Sequence, residues 1–204
     1  FPPPRGAGDG PALVGGGAPL TLISVGRMVA KKGYDDLIEA LAALPDDLNW
    51  RLVHIGGGPM TAEIKADAAA RGIAERIEWR GKRDQTEVIQ ALRDADLFVL
   101  PSKIASDGDR DGLPNVLMEA ASQKLPLLST AVSAIPEFIE DGVHGRLAPP
   151  GNPGALTLAL VELIGDAALR KRFAEAAYVR LSTEFGMDRG IDMLEERLRA
   201  VLGV

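Results

Sequence analysis

Between Leu20 and Ala148 the chain alternates short, almost unbroken apolar runs with longer stretches whose apolar residues recur at helical spacing. The runs are PLTLISVGR, WRLVHIG, RIEWRG, DLFVLPS, LPLLST and GRLAPP. A strand that is apolar on both faces needs cover on both sides, and sheets of such strands are parallel, with helices as crossovers. The intervening segments suit that role. KKGYDDLIEALAAL sets Tyr34, Leu37, Ile38, Leu41 and Leu44 on one helical face. Pro59 fits the first position of the next helix, where its missing N–H is no loss. Asp84 with Glu87 is a capping pair for a helix carrying Val88, Ile89, Leu92 and Ala95, and Pro114 to Lys124 reads as the helix after the fourth strand. After Asn152-Pro153, a cap and first-turn pair, only helical patterns follow, near 153–164, 167–182 and 187–202. The expected fold is α/β: a Rossmann-like, doubly wound parallel sheet with C-terminal helices.

Composition removes several function classes. Of 204 residues, 46% are apolar and 25% charged, enough for a real core. The net charge of −6 gives no bulk positive field for nucleic acid or a membrane surface. No cysteine is present, which excludes disulfide and thiolate chemistry and fits a reducing compartment, so a cytoplasmic location is expected. No apolar run reaches the roughly 20 residues that span a bilayer. Residues 1–18, FPPPRGAGDGPALVGGGA, are rich in proline and glycine and read as a linker, leaving 19–204 as one domain. A linker at the start of the chain, which opens on Phe1, suggests a preceding domain.

In such a sheet a ligand sits beyond the carboxyl ends of the strands, where strand order reverses. Four segments should converge there: VGRMVAKKG, IGGGP, RGKRD and DGDRDGLPNVLME. The last admits two interpretations. Asp107, Asp109, Asp111 and Gly112 match the first half of a calcium-binding EF-hand loop. The position that should carry a bidentate glutamate falls on Met118, however, and Glu119 arrives one residue late. Asp107 and Asp109 are therefore read as a solvated acidic loop. The alternative is a helix mouth. Leu113, Asn115 and Val116 would offer free N–H groups around Pro114, which has none, with Glu119 about one turn inside to accept from vicinal hydroxyls. Arg27 and Lys32 after the first strand supply the complementary charge for a diphosphate.

Six strings, in order, resemble the retaining, nucleotide-sugar-dependent glycosyltransferases of family 4: VGRMVAKKGYDDLIEAL, HIGGGP, WRGKR, DADLFVLPS, DGLPNVLMEA and IPEFIEDGVHGRLAPPGN. The resemblance covers Leu20 to about Leu202 and implies one half of a GT-B fold, the half that binds the nucleotide-diphosphate sugar. It implies a missing N-terminal acceptor-binding domain, a role in polysaccharide or glycoconjugate synthesis, little activity for this chain on its own, and no metal cofactor. It leaves membrane association to the missing domain or the acceptor. By the same resemblance, Arg27 and Lys32 neutralise the diphosphate. Glu119 binds the ribose hydroxyls. Asp111 stands where the family has a glutamate near the donor sugar. Gly26, Gly112, Leu113, Asn115 and Val116 line the phosphates, and Gly81 and Lys82 lie beside the base. Ser133-Ala134 replaces a glycine pair that many relatives carry before IPE.

Other residues have plainer explanations. Gly56, Gly57 and Gly58 suit a tight strand-to-helix turn, and a glycine cluster alone is weak evidence for phosphate. His54 falls inside an apolar run and reads as a satisfied core histidine, His144 as a turn residue, Trp50 and Trp79 as packing residues, and Glu137 as a minor site candidate. From the residues themselves, a non-catalytic nucleotide- or ion-binding α/β module stays open beside the transferase.

Overall fold

The computed structural model describes residues 17–185. Most of the expected linker and the helix expected at 187–202 lie outside the described residues. Six parallel strands form one sheet in the order β3-β2-β1-β4-β5-β6. They are β1 (Leu20–Val25), β2 (Trp50–Ile55), β3 (Ile77–Gly81), β4 (Leu97–Leu100), β5 (Leu127–Thr130) and β6 (Arg146–Ala148). The helices between and after them are α1 (Tyr34–Ala42), α2 (Thr61–Ala70), α3 (Gln85–Arg93), α4 (Asn115–Ser122), α5 (Ile135–Phe138), α6 (Pro153–Gly165) and α7 (Ala167–Glu184). The expected α/β sheet with C-terminal helices is what the chain forms. No helix among the described residues is long and apolar enough to cross a membrane.

The strand sequences explain the layering. Every residue of β4 and β5 is buried, as double-sided cover requires. Edge strand β3 instead exposes Glu78, and Arg80 reaches back to it, Nε to Oε1 at 2.8 Å. Leu37, Ile38 and Leu41 of α1 press onto one face of the sheet with Leu156, Leu160 and Leu163 of α6 in the same core. Helix α3 begins with the expected capping box: Asp84 accepts from the Glu87 N–H, and Glu87 accepts from the Asp84 N–H. Asn152 and Asp166 cap α6 and α7 with a single side-chain bond each, accepting from the N–H groups of Ala155 and Leu169.

Two boundaries differ from expectation. Pro59 is not the first residue of α2. It sits with Met60 in a turn closed by Thr61, whose hydroxyl donates to the Gly58 carbonyl at 2.7 Å and accepts from the Gly58 N–H at 2.9 Å. Helix α4 starts at Asn115 with Pro114 as its extended N-cap, and it ends at Ser122, because Lys124 turns left-handed at φ 53°.

Candidate functional site

The strand order reverses between β1 and β4, and the four expected segments do converge at the carboxyl edge. The turn after β1 packs directly on the turn after β2: Met28 N–H donates to the Gly57 carbonyl, and Met60 N–H donates to the Met28 carbonyl, each at 3.2 Å. That approach is why the glycines are there. A Cβ at Gly56 would come 1.9 Å from the Gly26 carbonyl oxygen, and its φ of +143° also favours glycine. The tight-turn explanation therefore holds for Gly56 and for Gly58, where a Cβ would come 2.5 Å from the Met28 carbonyl oxygen, whereas Gly57 has ordinary room for a side chain. Gly56 N–H donates to the Gly81 carbonyl at 2.8 Å and joins the exit of β3. The loop after β4 is tied to the first turn by Lys103 N–H on the Lys31 carbonyl at 2.8 Å.

A charged lattice spans the reversal point. Lys32 Nζ lies 2.7 Å from Asp111 Oδ2, both side chains mostly shielded at 13% and 15% exposure. Lys31 Nζ lies 3.1 Å from Asp109 Oδ1 and 3.5 Å from Asp111 Oδ1. The Asp109 hydrogen bond, helped by the charge of Asp111, raises the Lys31 pKa above its ordinary value. Lys103 bridges Asp35 Oδ2 at 2.6 Å and Asp36 Oδ1 at 3.0 Å at the start of α1. Burial alone would lower the Lys103 pKa, but those two carboxylates outweigh it and the net direction is up. Arg27 differs from these lysines. It is exposed, and among the described residues its guanidinium has no ion pair or hydrogen bond.

Asp111 and Asp109 thus face lysines, and among the described residues no three carboxylate or histidine side chains gather as a cation site. Asp107 accepts from the Asp109 N–H at 2.9 Å in an exposed turn, consistent with the solvated loop expected for these two residues, although Asp109 also pairs with Lys31.

Helix α4 opens without a side-chain cap. Leu117 N–H returns to the Pro114 carbonyl at 3.0 Å, whereas the N–H groups of Leu113, Asn115 and Val116 have no acceptor among the described residues. Gly112 is exposed and unobstructed beside them. On the next turn Glu119 accepts from Gln85 Nε2 at 3.0 Å, which links α4 to the first residue of α3, just past the exit of β3 where Gly81 and Lys82 are exposed. One expectation changes. Gly26 N–H is already engaged, donating to the Ile55 carbonyl at 2.9 Å, so Gly26 has no N–H to give a phosphate and contributes only close backbone approach.

Sequence reasoning missed Lys31, Lys103, Asp35 and Asp36, whose pairings cross between distant segments, and Gln85. It also took His54 for a satisfied histidine. His54 is buried between Tyr34 (ring centroids 4.6 Å apart) and Trp79 (5.7 Å), but its Nε2 has no hydrogen-bond partner among the described residues. Burial, then the charge of Lys65, pulls its pKa down to about 4. His144 lies in the turn before β6, Trp50 is buried in the core, Trp79 packs partly buried beside it, and Glu137 is exposed on α5. Ser133 adopts φ +50°, a left-handed conformation that glycine takes without strain.

The model of the family described as "Glycosyl transferases group 1" matches residues 16–180. The amylovoran biosynthesis glycosyltransferase AmsK of Erwinia amylovora is 36% identical over 181 residues, which are 88% of this chain and 44% of that protein. The chain therefore spans less than half the length of this curated relative. The C-terminal domain of the group 1 family protein LpcC from Francisella tularensis superposes with a TM-score of 0.73 at 25% identity, covering 83% of this chain and 89% of that one. Anabaena Alr3699/HepE, solved in complex with UDP, shares the fold with a TM-score of 0.79 at 21% identity, covering 89% of this chain and 49% of that one.

Proposed function

The chain belongs to the group 1 glycosyl transferases, and on that footing we propose that it is the donor-binding half of a retaining enzyme. The reaction moves a sugar from a nucleotide-diphosphate sugar to an acceptor hydroxyl, in polysaccharide or glycoconjugate synthesis. The observation that carries this reading is the Lys32–Asp111 pair, which joins the turn after β1, where Arg27 has no ion pair among the described residues, to the segment that leads into the start of α4, which has no side-chain cap, across the point where strand order reverses. The UDP complex of HepE supports it by analogy of fold. The name of AmsK supports the polysaccharide setting.

In this scheme the diphosphate lies over the first turn of α4, receiving hydrogen bonds from the N–H groups of Leu113, Asn115 and Val116 and the positive end of the helix dipole. Arg27 takes its outer oxygens, and the ammonium of Lys32 passes from Asp111 to the phosphate. Asp111, released, turns to a hydroxyl of the donor sugar. Glu119, steadied by Gln85, accepts from the ribose hydroxyls, and the base rests beside Gly81 and Lys82. As the glycosidic carbon gains oxocarbenium character, negative charge grows on the leaving diphosphate. Preorganised donors aimed at that charge are the largest catalytic contribution. Arg27 and Lys32 supply the charge that a metal cofactor would otherwise bring. The acceptor is held by a further, N-terminal domain of the same protein. A relative about twice the length of this chain supports that arrangement.

Thermal melting tests the reading. UDP, GDP or ADP at about 100 times its Kd should stabilise the chain by about 2.7 kcal/mol, a shift of a few degrees. A midpoint that moves with calcium and with none of the three nucleotides overturns it.

A further inference from the structure

Ser24 of β1, His54 of β2 and Trp79 of β3 are neighbours in register, so their side chains leave one face of the sheet as a row just beneath the strand exits. Tyr34, the first residue of α1, lies against that row, its ring edge-on to His54. Two residues beyond Ser24, on the same face, stands Gly26. A Cβ there would come 2.7 Å from Tyr34 Oη and 3.6 Å from Lys32 Cε. The phenol oxygen and the stem of Lys32 therefore flank a single glycine, directly behind the turn that carries Arg27.

Tyr34 is 4% exposed, and its Oη has no hydrogen-bond partner among the described residues. Ser24 Oγ is close enough to offset part of the upward push that burial gives the Tyr34 pKa, yet the two hydroxyls do not meet in hydrogen-bond geometry. A buried, unpartnered hydroxyl destabilises a fold, and a phenylalanine would pack the same ring without that penalty. Core packing explains the ring and leaves the oxygen unexplained. Across the same glycine runs the stem of Lys32, whose ammonium, with three N–H donors, is held in this state by Asp111.

We infer that Tyr34 is a positioning residue, whose hydroxyl accepts a hydrogen bond from Lys32 and fixes its ammonium once a phosphate has drawn it from Asp111. The inference rests on the proposed role of Lys32 in holding the diphosphate. It assigns to Tyr34 no contact with substrate.

The test uses the 204-residue chain and whichever of UDP, GDP and ADP shifts its melting most. Affinities are measured by calorimetry for wild type, Y34F, K32A and the double variant. Y34F should bind roughly tenfold more weakly while melting no lower than wild type. In the K32A background the same substitution should change nothing, since the group it positions is gone. Equal losses in both backgrounds, or wild-type affinity for Y34F, overturn the inference and leave the function standing. K32A binding as tightly as wild type removes the proposed role of Lys32, and the inference falls with it.

Discussion

At the scale of single residues, the site is a balance of charges rather than a row of free cations. Lys31, Lys32 and Lys103 are each matched by carboxylates, while Arg27 stands unmatched among the described residues. In the proposed scheme Arg27 is the first cation that an incoming diphosphate meets, and Lys32 the one it must win from Asp111. In the intact transferase, Arg27→Ala or Lys32→Ala should remove about 3 kcal/mol of transition-state stabilisation, lowering turnover by roughly two to three orders of magnitude. Steady-state assay of sugar transfer checks this, and near-normal turnover contradicts the assigned roles. His54 gives a separate, structural prediction. The folded chain keeps it neutral down to about 4, whereas the unfolded chain takes up its proton near 6.5. Between those values the unfolded state binds more protons, so stability should fall as pH drops from 6.5 to 4, by about 3 kcal/mol in total. His54→Phe, which keeps a ring between Tyr34 and Trp79, should flatten that acid limb in denaturation midpoints measured across the range.

At the scale of elements, the helices divide by how they begin. Helices α6 and α7 start with side-chain caps, and α3 with a full capping box. Helices α1, α2 and α4, which start at the exits of β1, β2 and β4, have none. Of these, α1 is bound most tightly to the site's geometry, because its N-cap Gly33 has φ +66° and a Cβ there would lie 2.0 Å from the Pro101 carbonyl oxygen. Gly33→Ala must push apart the turn after β1 and the loop after β4. It should cost about 3 kcal/mol in chemical denaturation, from the left-handed backbone and the clash together. The elements themselves were legible because each rule acts locally. Apolar runs marked all six strands, Asp84 with Glu87 marked the start of α3, and Asn152-Pro153 marked that of α6. Pro59 misled because proline also favours the turn that Thr61 closes, and only the tertiary packing of that turn on Met28 decides between the two.

At the scale of the molecule, the sheet order β3-β2-β1-β4-β5-β6 sets the turn after β1 against the loop after β4, and everything proposed for function follows from that adjacency. Alternating strands and helices foretold the reversal and therefore which segments meet. They did not foretell how side chains settle once there. Lys32 and Asp111 both read as ligand groups in the sequence, and nothing local says that they first neutralise each other. Gly26 likewise read as a phosphate contact, but its N–H belongs to the ladder with Ile55, a partner fixed only by strand order. That the oxygen of Tyr34 has no hydrogen-bond partner among the described residues is equally invisible in sequence, where the residue is simply one apolar position of a helix.

The most direct measurement is a crystal structure of this chain with a bound nucleoside diphosphate. Phosphate oxygens should lie within hydrogen-bond distance of Arg27, Lys32 and the N–H groups of Asn115 and Val116, with the ribose hydroxyls on Glu119. A nucleotide bound elsewhere, or one that leaves Lys32 on Asp111 and the mouth of α4 untouched, contradicts the proposed site.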